Sequence, residues 1–263
     1  MPYLTVASET VHYVWRHSQR AVGPPLVFIH GTGGSHQLWL YQVRGLPQVT
    51  SYALDLPGHG DSTGRGRDSI AAYADWLIAF LDAAGSEQAA LVGHSMGGAI
   101  ALDAALRYPE RVAGLCLVAT GARLRVAPAI LDGLRHDRAA TIRLIAEWCY
   151  SPQVPPEMLR LGEQQMAAMS PDVLYNDFAA CNAFDVTDRL SEIVTPAAVV
   201  CGTDDRMTPP KYATYLRDKI PGAALHLIEG AGHMVMIEKP EEVTAILAAR
   251  RALFRRPAAQ VTA

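Results

Sequence analysis

Short, uninterrupted apolar runs alternate along this chain with longer stretches whose apolar residues recur at helical spacing. Leu26-Val27-Phe28-Ile29 is the first such run, as expected for a strand buried on both faces. Runs at 51–55, 89–92, 115–118, 197–201 and 224–228 complete six predicted core strands. The segment 5–14 adds antiparallel edge strands ahead of them. Helical spacing covers 69–84, 97–108, 210–219 and 241–254, with breakers at Pro109, Pro209-Pro210, Pro221, Pro240 and Pro257. This alternation predicts an α/β fold, a mostly parallel sheet flanked by helices. One stretch breaks it. From 121 to 190 the pattern is helical only, punctuated by Pro128, Pro152, Pro155-Pro156 and Pro171. That is too long for an ordinary crossover and predicts an inserted helical cap. The expected organisation is a core in two parts, 1–120 and 191–263, around a cap at 121–190, with a frayed tail at 255–260.

Composition narrows the class. The chain has 263 residues, 50% of them hydrophobic, enough to bury a full core and too apolar for disorder. Lys and Arg total 23 against 26 Asp and Glu, a net charge of −3. Nucleic-acid binding through phosphate contacts and electrostatic membrane anchoring both call for a basic excess that is absent. No apolar window is long enough to span a bilayer. Met1 to Val6 lacks the basic stretch and apolar run of a signal peptide. Cys116, Cys149, Cys181 and Cys201 are widely spaced, without a CxxC pair. The expectation is a reduced, cytoplasmic protein, monomer or homodimer, whose partner is a small molecule.

The strongest chemical signal is Gly93-His94-Ser95-Met96-Gly97-Gly98, directly after one predicted strand and before a helix. A serine on such a sharp turn exposes its hydroxyl, and the flanking glycines avoid collision with the neighbouring strand and helix. A serine nucleophile needs a base. His233, in the glycine-rich segment Glu229-Gly230-Ala231-Gly232-His233 after the last strand, is the best placed of nine histidines. His226 is expected to be structural, His94 to sit inside the turn, His59 to organise its own loop, and His12, His17 and His136 to be surface residues. The base needs an acid to fix its tautomer. Asp204 and Asp205 both follow the strand ending at Cys201. The loop His30-Gly31-Thr32-Gly33-Gly34 can bring a backbone N–H to a developing oxyanion, which pairs Thr32 with Met96 as donors. That loop is not a dinucleotide turn or phosphate loop, since His36 stands at the third glycine position and no Gly-Lys-Ser/Thr follows. No cofactor and no metal is expected.

Together with Asp55-Leu56-Pro57-Gly58-His59-Gly60-Asp61-Ser62, these motifs resemble the α/β-hydrolase superfamily, from about Val11 to Phe254. The branch most similar is the small, cap-containing bacterial esterases, with relatives among lactonases, carbon–carbon hydrolases and cofactor-free perhydrolases and haloperoxidases. The resemblance implies Asp205 as the acid, Thr32 and Met96 as the oxyanion hole, and a cap over the pocket. Ser95 excludes members with an aspartate nucleophile, and His94 stands where carbon–carbon hydrolases commonly carry Asn. Trp148, Met166 and Phe178 are the expected substrate contacts among the apolar cap residues, and Arg123, Arg125, Arg135, Arg138 and Arg143 are expected to form a solvated face. The resulting expectation is a serine hydrolase of small apolar carboxylic esters, acting through an acyl-enzyme. Carbon–carbon cleavage, lactone hydrolysis or perhydrolysis on the same groups is the alternative. A non-catalytic small-ligand binder is the alternative of another class.

Overall fold

A computed structural model describes residues 2–19, 21, 23–46 and 48–250. The strands are β1 (Tyr3–Val6), β2 (Glu9–Arg16), β3 (Leu26–Ile29), β4 (Ser51–Leu54), β5 (Ala89–His94), β6 (Val112–Val118), β7 (Ala197–Gly202) and β8 (Ala224–Ile228). They form one eight-stranded sheet in the order β1-β2-β4-β3-β5-β6-β7-β8. β1 and β2 pair antiparallel, β2 joins β4 antiparallel, and the rest are parallel. The six apolar runs are thus the parallel strands, and β3, β5 and β7 are buried at every residue.

The helices are α1 (Leu40–Gly45), α2 (Ile70–Ala83), α3 (Met96–Arg107), α4 (Pro128–His136), α5 (Arg138–Cys149), α6 (Pro156–Ala167), α7 (Pro171–Ala183), α8 (Pro210–Lys219), α9 (Val235–Glu238) and α10 (Pro240–Arg250). On one sheet face, Trp76 and Phe80 of α2, Ile100 of α3 and Leu216 of α8 pack onto Val27, Leu91 and Val199. On the other, Val43 of α1 with Val243 and Leu247 of α10 cover Phe28, Val92 and Val200. Burying each large aliphatic or aromatic side chain stabilises the fold by about 1.5–3 kcal/mol. The predicted last helix agrees with α10 as far as Arg250; its remainder and the tail at 255–260 lie outside the described residues.

Between β6 and β7 run α4 to α7, without a strand. Their facing residues, including Ile130, Ile145, Leu174 and Phe178, form a hydrophobic cluster of their own. An isolated bridge between Arg123 and Asp185 ties the two ends of this excursion together. Among the described residues, no helix is long and apolar enough to cross a membrane.

His12, expected at the surface, is fully buried. β2 is not an edge strand, and the loop after β4 folds over it: Ser62 Oγ accepts from the His12 N–H at 2.9 Å, and His12 Nδ1 lies 2.8 Å from Asp55 Oδ2. His17 and His136 are exposed, as expected.

Candidate active site

The chain leaves β3 for β4 on one side and returns to β5 on the other, so the C-terminal ends of β3 and β5 flank the point where strand order reverses. Parallel sheets bind ligands at such points. Ser95 sits there, in the turn from β5 to α3, with φ +53° and ψ −115°. A non-glycine residue is rarely found there, and the strain is tolerated because the surroundings fix it. A Cβ on Gly97 would lie 2.3 Å from the Ile29 carbonyl oxygen, and one on Gly93 would lie 2.2 Å from that of Gly97. The turn is held from β6 as well: Ser95 N–H donates to Val118 O at 3.0 Å and Thr120 Oγ1 to Ser95 O at 2.8 Å.

His233 and Ser95 line the same cavity. His233 Nδ1 lies 2.9 Å from Asp205 Oδ2 and 3.1 Å from Oδ1. Asp205 also accepts from the Met207 N–H (2.9 Å), the Thr208 N–H (2.8 Å) and the Thr208 hydroxyl (2.8 Å). Asp204 points elsewhere, its Oδ2 accepting from Ser151 Oγ at 3.2 Å. With Nδ1 donating to Asp205, Nε2 is the His233 nitrogen left free to accept a proton. His94 steadies this histidine from beneath. The two rings are 4.7 Å apart, and His94 Nε2 donates to the His233 carbonyl at 3.0 Å. Burial, and then His233, hold His94 well below the ordinary histidine pKa, so it stays neutral. The His233 loop is also clamped by Glu238, whose Oε2 accepts from the Gly232 N–H at 2.9 Å and the Ser151 N–H at 3.2 Å.

The loop after β3 presents Thr32 to the cavity. It is anchored by His30, which accepts the Leu56 N–H on Nε2 at 3.1 Å and donates from Nδ1 to Gly31 O at 2.8 Å. Burial lowers the His30 pKa to about 4. Met96 opens α3, where the first N–H groups lack intrahelical partners.

Met166 and Phe178 line the cavity; Trp148 does not. Ile145, Ala146 and Cys149 are the α5 residues on its wall. Trp148 lies about 60° round the helix from Ile145, 100° from Cys149 and 160° from Ala146, half-buried, with the Arg206 guanidinium 6.0 Å from its ring. Of Arg123, Arg125, Arg135, Arg138 and Arg143, Arg125 lies on the cavity wall and is otherwise exposed.

Thr208, Glu238, Cys149 and Tyr150 carry parts of the site that the motifs did not announce. Thr208 was detectable: Asp205 followed three residues later by Thr and then Pro209-Pro210 is the pattern of a side chain capping its own turn before a helix. Cys149 and Tyr150 carry no comparable signal.

His12, His36 and Asp55 form a second buried group whose atoms could serve as metal ligands. Their contacts of 2.8–3.0 Å are hydrogen bonds to the Asp55 carboxylate, shorter than the roughly 3.3 Å between neighbouring ligands around a tetrahedral zinc.

Residues 26–246 match the alpha/beta hydrolase family. The chain belongs to that family. It is 31% identical over 233 residues to the pimeloyl-[acyl-carrier protein] methyl ester esterase of Neisseria meningitidis, covering 83% of this chain and 89% of the relative. It superposes on the structure of a thermophilic esterase with a TM-score of 0.84 at 30% identity, covering 96% of this chain and 97% of the other. An N-acyl homoserine lactone degrading enzyme of known structure matches with a TM-score of 0.84 at 28% identity, over 94% and 99% of the two chains. Among alpha/beta hydrolases, then, the similar chains include two named as esterases.

Proposed function

We propose that this alpha/beta hydrolase is a serine carboxylesterase for small, apolar esters, with Ser95 as nucleophile, His233 as base and Asp205 as the acid that orients it. The pairing of His233 Nδ1 with the buried Asp205 carboxylate, in the cavity that holds the strained Ser95, carries the reading. Ser95 Oγ attacks the ester carbonyl while His233 Nε2 takes its proton. The carbonyl oxygen becomes an oxyanion held by the Thr32 and Met96 N–H groups. His233 returns the proton to the leaving alcohol, and the acyl group stays on Ser95. Water, deprotonated by His233, then attacks the acyl-enzyme and restores the serine. Asp205 stabilises the imidazolium in both halves and needs no proton itself. In this reading 121–190 is a cap. It contributes Met166 and Phe178 to a wall that is apolar around Ser95, suited to an uncharged acyl chain.

All of these groups come from one chain, so a monomer or a homodimer carries complete sites. Four buried, unpaired thiols suit a reducing compartment, the cytoplasm.

The test is hydrolysis of p-nitrophenyl esters from acetate to palmitate, run beside Ser95→Ala and labelling by a fluorophosphonate. The wild type is expected to label and to turn over short or middle chains fastest. Ser95→Ala is expected to lose about 10⁴-fold or more in kcat with an unchanged circular dichroism spectrum. Retained activity in that variant overturns the mechanism.

A further inference from the structure

A second buried charged pair lies outside the proposed catalytic groups, on the seam between the helical segment and the core. His59 belongs to the loop after β4 and Asp177 to α7, and both side chains are fully buried. His59 Nε2 is 2.8 Å from Asp177 Oδ2, and Nδ1 is 3.0 Å from the Pro57 carbonyl oxygen. The other Asp177 oxygen accepts the Tyr73 hydroxyl at 2.7 Å. A carbonyl oxygen and an ionised carboxylate can only accept, so each ring nitrogen must carry a proton. The His59 ring is therefore an imidazolium. Its neighbour His30, with ring centroids 4.8 Å apart, is fixed as neutral because its Nε2 accepts a backbone N–H.

The surroundings are shaped to bring α7 down onto this loop. A Cβ on Gly66 would lie 2.9 Å from the Tyr73 hydroxyl and 3.1 Å from Val173 Cγ1 on α7. Gly58 has φ +77°, and a Cβ there would lie 3.0 Å from Val173 Cγ2. The residue after Asp177 is Phe178, and one turn on is Cys181; both face the cavity that contains Ser95. Where α7 sits thus decides where that wall stands.

We propose that the His59 imidazolium and the Asp177 carboxylate act as a positioning latch, seating α7 on the core and so setting the depth of the acyl pocket through Phe178 and Cys181. The substrate side of this proposal rests on the esterase reading; the seating of α7 does not. A buried ion pair is a poor source of net stability, but removing one partner leaves an uncompensated charge. The groups facing His59 are Asp177 from α7, Tyr73 from α2, His30 after β3 and Asp55 after β4, with Arg67 acting on Tyr73. Burial works against the charged ring, yet the charge and hydrogen bond of Asp177 outweigh it and raise the pKa of His59. The latch is therefore fully closed below the ordinary histidine pKa of about 6.5, and it is lost as pH rises through the higher folded value.

The first arm of the test is ¹⁵N spectroscopy of the histidines in the unaltered chain, with His59 assigned by comparison with His59→Gln. At about pH 6.5, where free histidine is half neutral, both nitrogens of His59 are expected to be protonated. A singly protonated ring there overturns the proposal. The second arm uses Asp177→Asn, read by hydrogen exchange and by ester kinetics. Amides of α7 are expected to exchange about tenfold faster or more, with those of β5 and β6 unchanged. The preference between p-nitrophenyl octanoate and acetate is expected to shift at least about fivefold through KM, with kcat on acetate within about threefold. Unchanged exchange in α7 with an unchanged chain-length preference in the folded variant overturns the latch. If the wild type cleaves no ester, the esterase reading fails while the spectroscopic and exchange arms still decide the latch. If Asp177→Asn does not fold, the spectroscopic arm alone decides it.

Discussion

Asp205 accepts three hydrogen bonds from its own turn before His233 reaches it, and this fixes which of two adjacent carboxylates meets the imidazole. Asp205→Asn is expected to lower kcat by about 10³–10⁴ because the amide favours the wrong imidazole tautomer. Asp204→Asn, whose side chain meets Ser151 Oγ, is expected to stay within about threefold of wild type; the reverse ranking in ester hydrolysis moves the acid by one residue. The motifs alone left these two carboxylates undivided, because a strand's end does not show which neighbour turns inward. Asp55 is the second carboxylate with a heavy load. It takes the His36 and Asp61 backbone N–H groups at 2.7 and 3.0 Å, along with the rings of His12 and His36. Burial raises its pKa, but the His36 and Asp61 hydrogen bonds outweigh burial and hold it well below the usual carboxylate range. Its contribution to stability is thus present above about pH 4 and is lost as pH falls through the folded value. Asp55→Asn is expected to cost about 3 kcal/mol in urea unfolding at pH 7, and about 1 kcal/mol less at pH 3, where the unfolded carboxylate is protonated and the folded one is not. An equal cost at both pH values contradicts an ionised Asp55. His12 was illegible for the same reason: its burial comes from a loop folded over β2, which local alternation does not encode.

Elements were legible where one face of the pattern dominates. The parallel strands declare themselves by continuous apolar runs, and α2, α3 and α8 by helical spacing within a residue or two of their observed bounds. The 3₁₀ turn His36–Trp39 and α1 were not, since ten residues of mixed polarity hold no clear period. Gln42 is fully buried there, its side-chain amide donating to Met236 O at 2.9 Å. Within the helical segment the register of each helix was also hidden, and Trp148 shows why. Apolar residues on α5 face either the cavity or neighbouring chain, and the sequence does not say which. Glycines separate two kinds of element boundary. Gly85, after α2, has φ +68° and nothing within 4 Å of a built Cβ, so Gly85→Ala is expected to cost about 1 kcal/mol of backbone strain with activity unchanged. Gly97 has an ordinary helical backbone, but its Cβ would strike the Ile29 carbonyl at 2.3 Å. Gly97→Ala is expected to push β3 and α3 apart and cost about 3 kcal/mol or more, with loss of fluorophosphonate labelling. Similar urea midpoints for the two variants contradict the close packing at the Ser95 turn.

Across the whole molecule, two kinds of interior meet, and the four free cysteines sample both. Cys116 and Cys201 lie in β6 and β7, inside the sheet, with relative exposures of 1% and 0%. Cys149 and Cys181 lie in the helical segment, at 8% and 5%, and both line the cavity. Burial pushes the thiols of Cys116, Cys181 and Cys201 up to about 12 and raises that of Cys149 as well. None is a ready thiolate in the closed protein, so each reacts only when its surroundings open. Opening at the cavity requires helices to part from a small cluster, whereas reaching Cys116 or Cys201 requires the sheet to separate, which is close to global unfolding. A maleimide in native buffer is therefore expected to modify Cys149 and Cys181 at least about tenfold faster than Cys116 and Cys201, a difference of about 1.4 kcal/mol in opening free energy. A fluorophosphonate bearing a medium alkyl chain fills the space beside Ser95 and is expected to slow the first pair while leaving the second unchanged. In denaturing urea all four are expected to react alike. Equal native rates for the four thiols, resolved by mass spectrometry of the digested protein, would mean that helical segment and sheet open as one cooperative unit. The cavity beside Ser95 could not then change shape without unfolding the core beneath it.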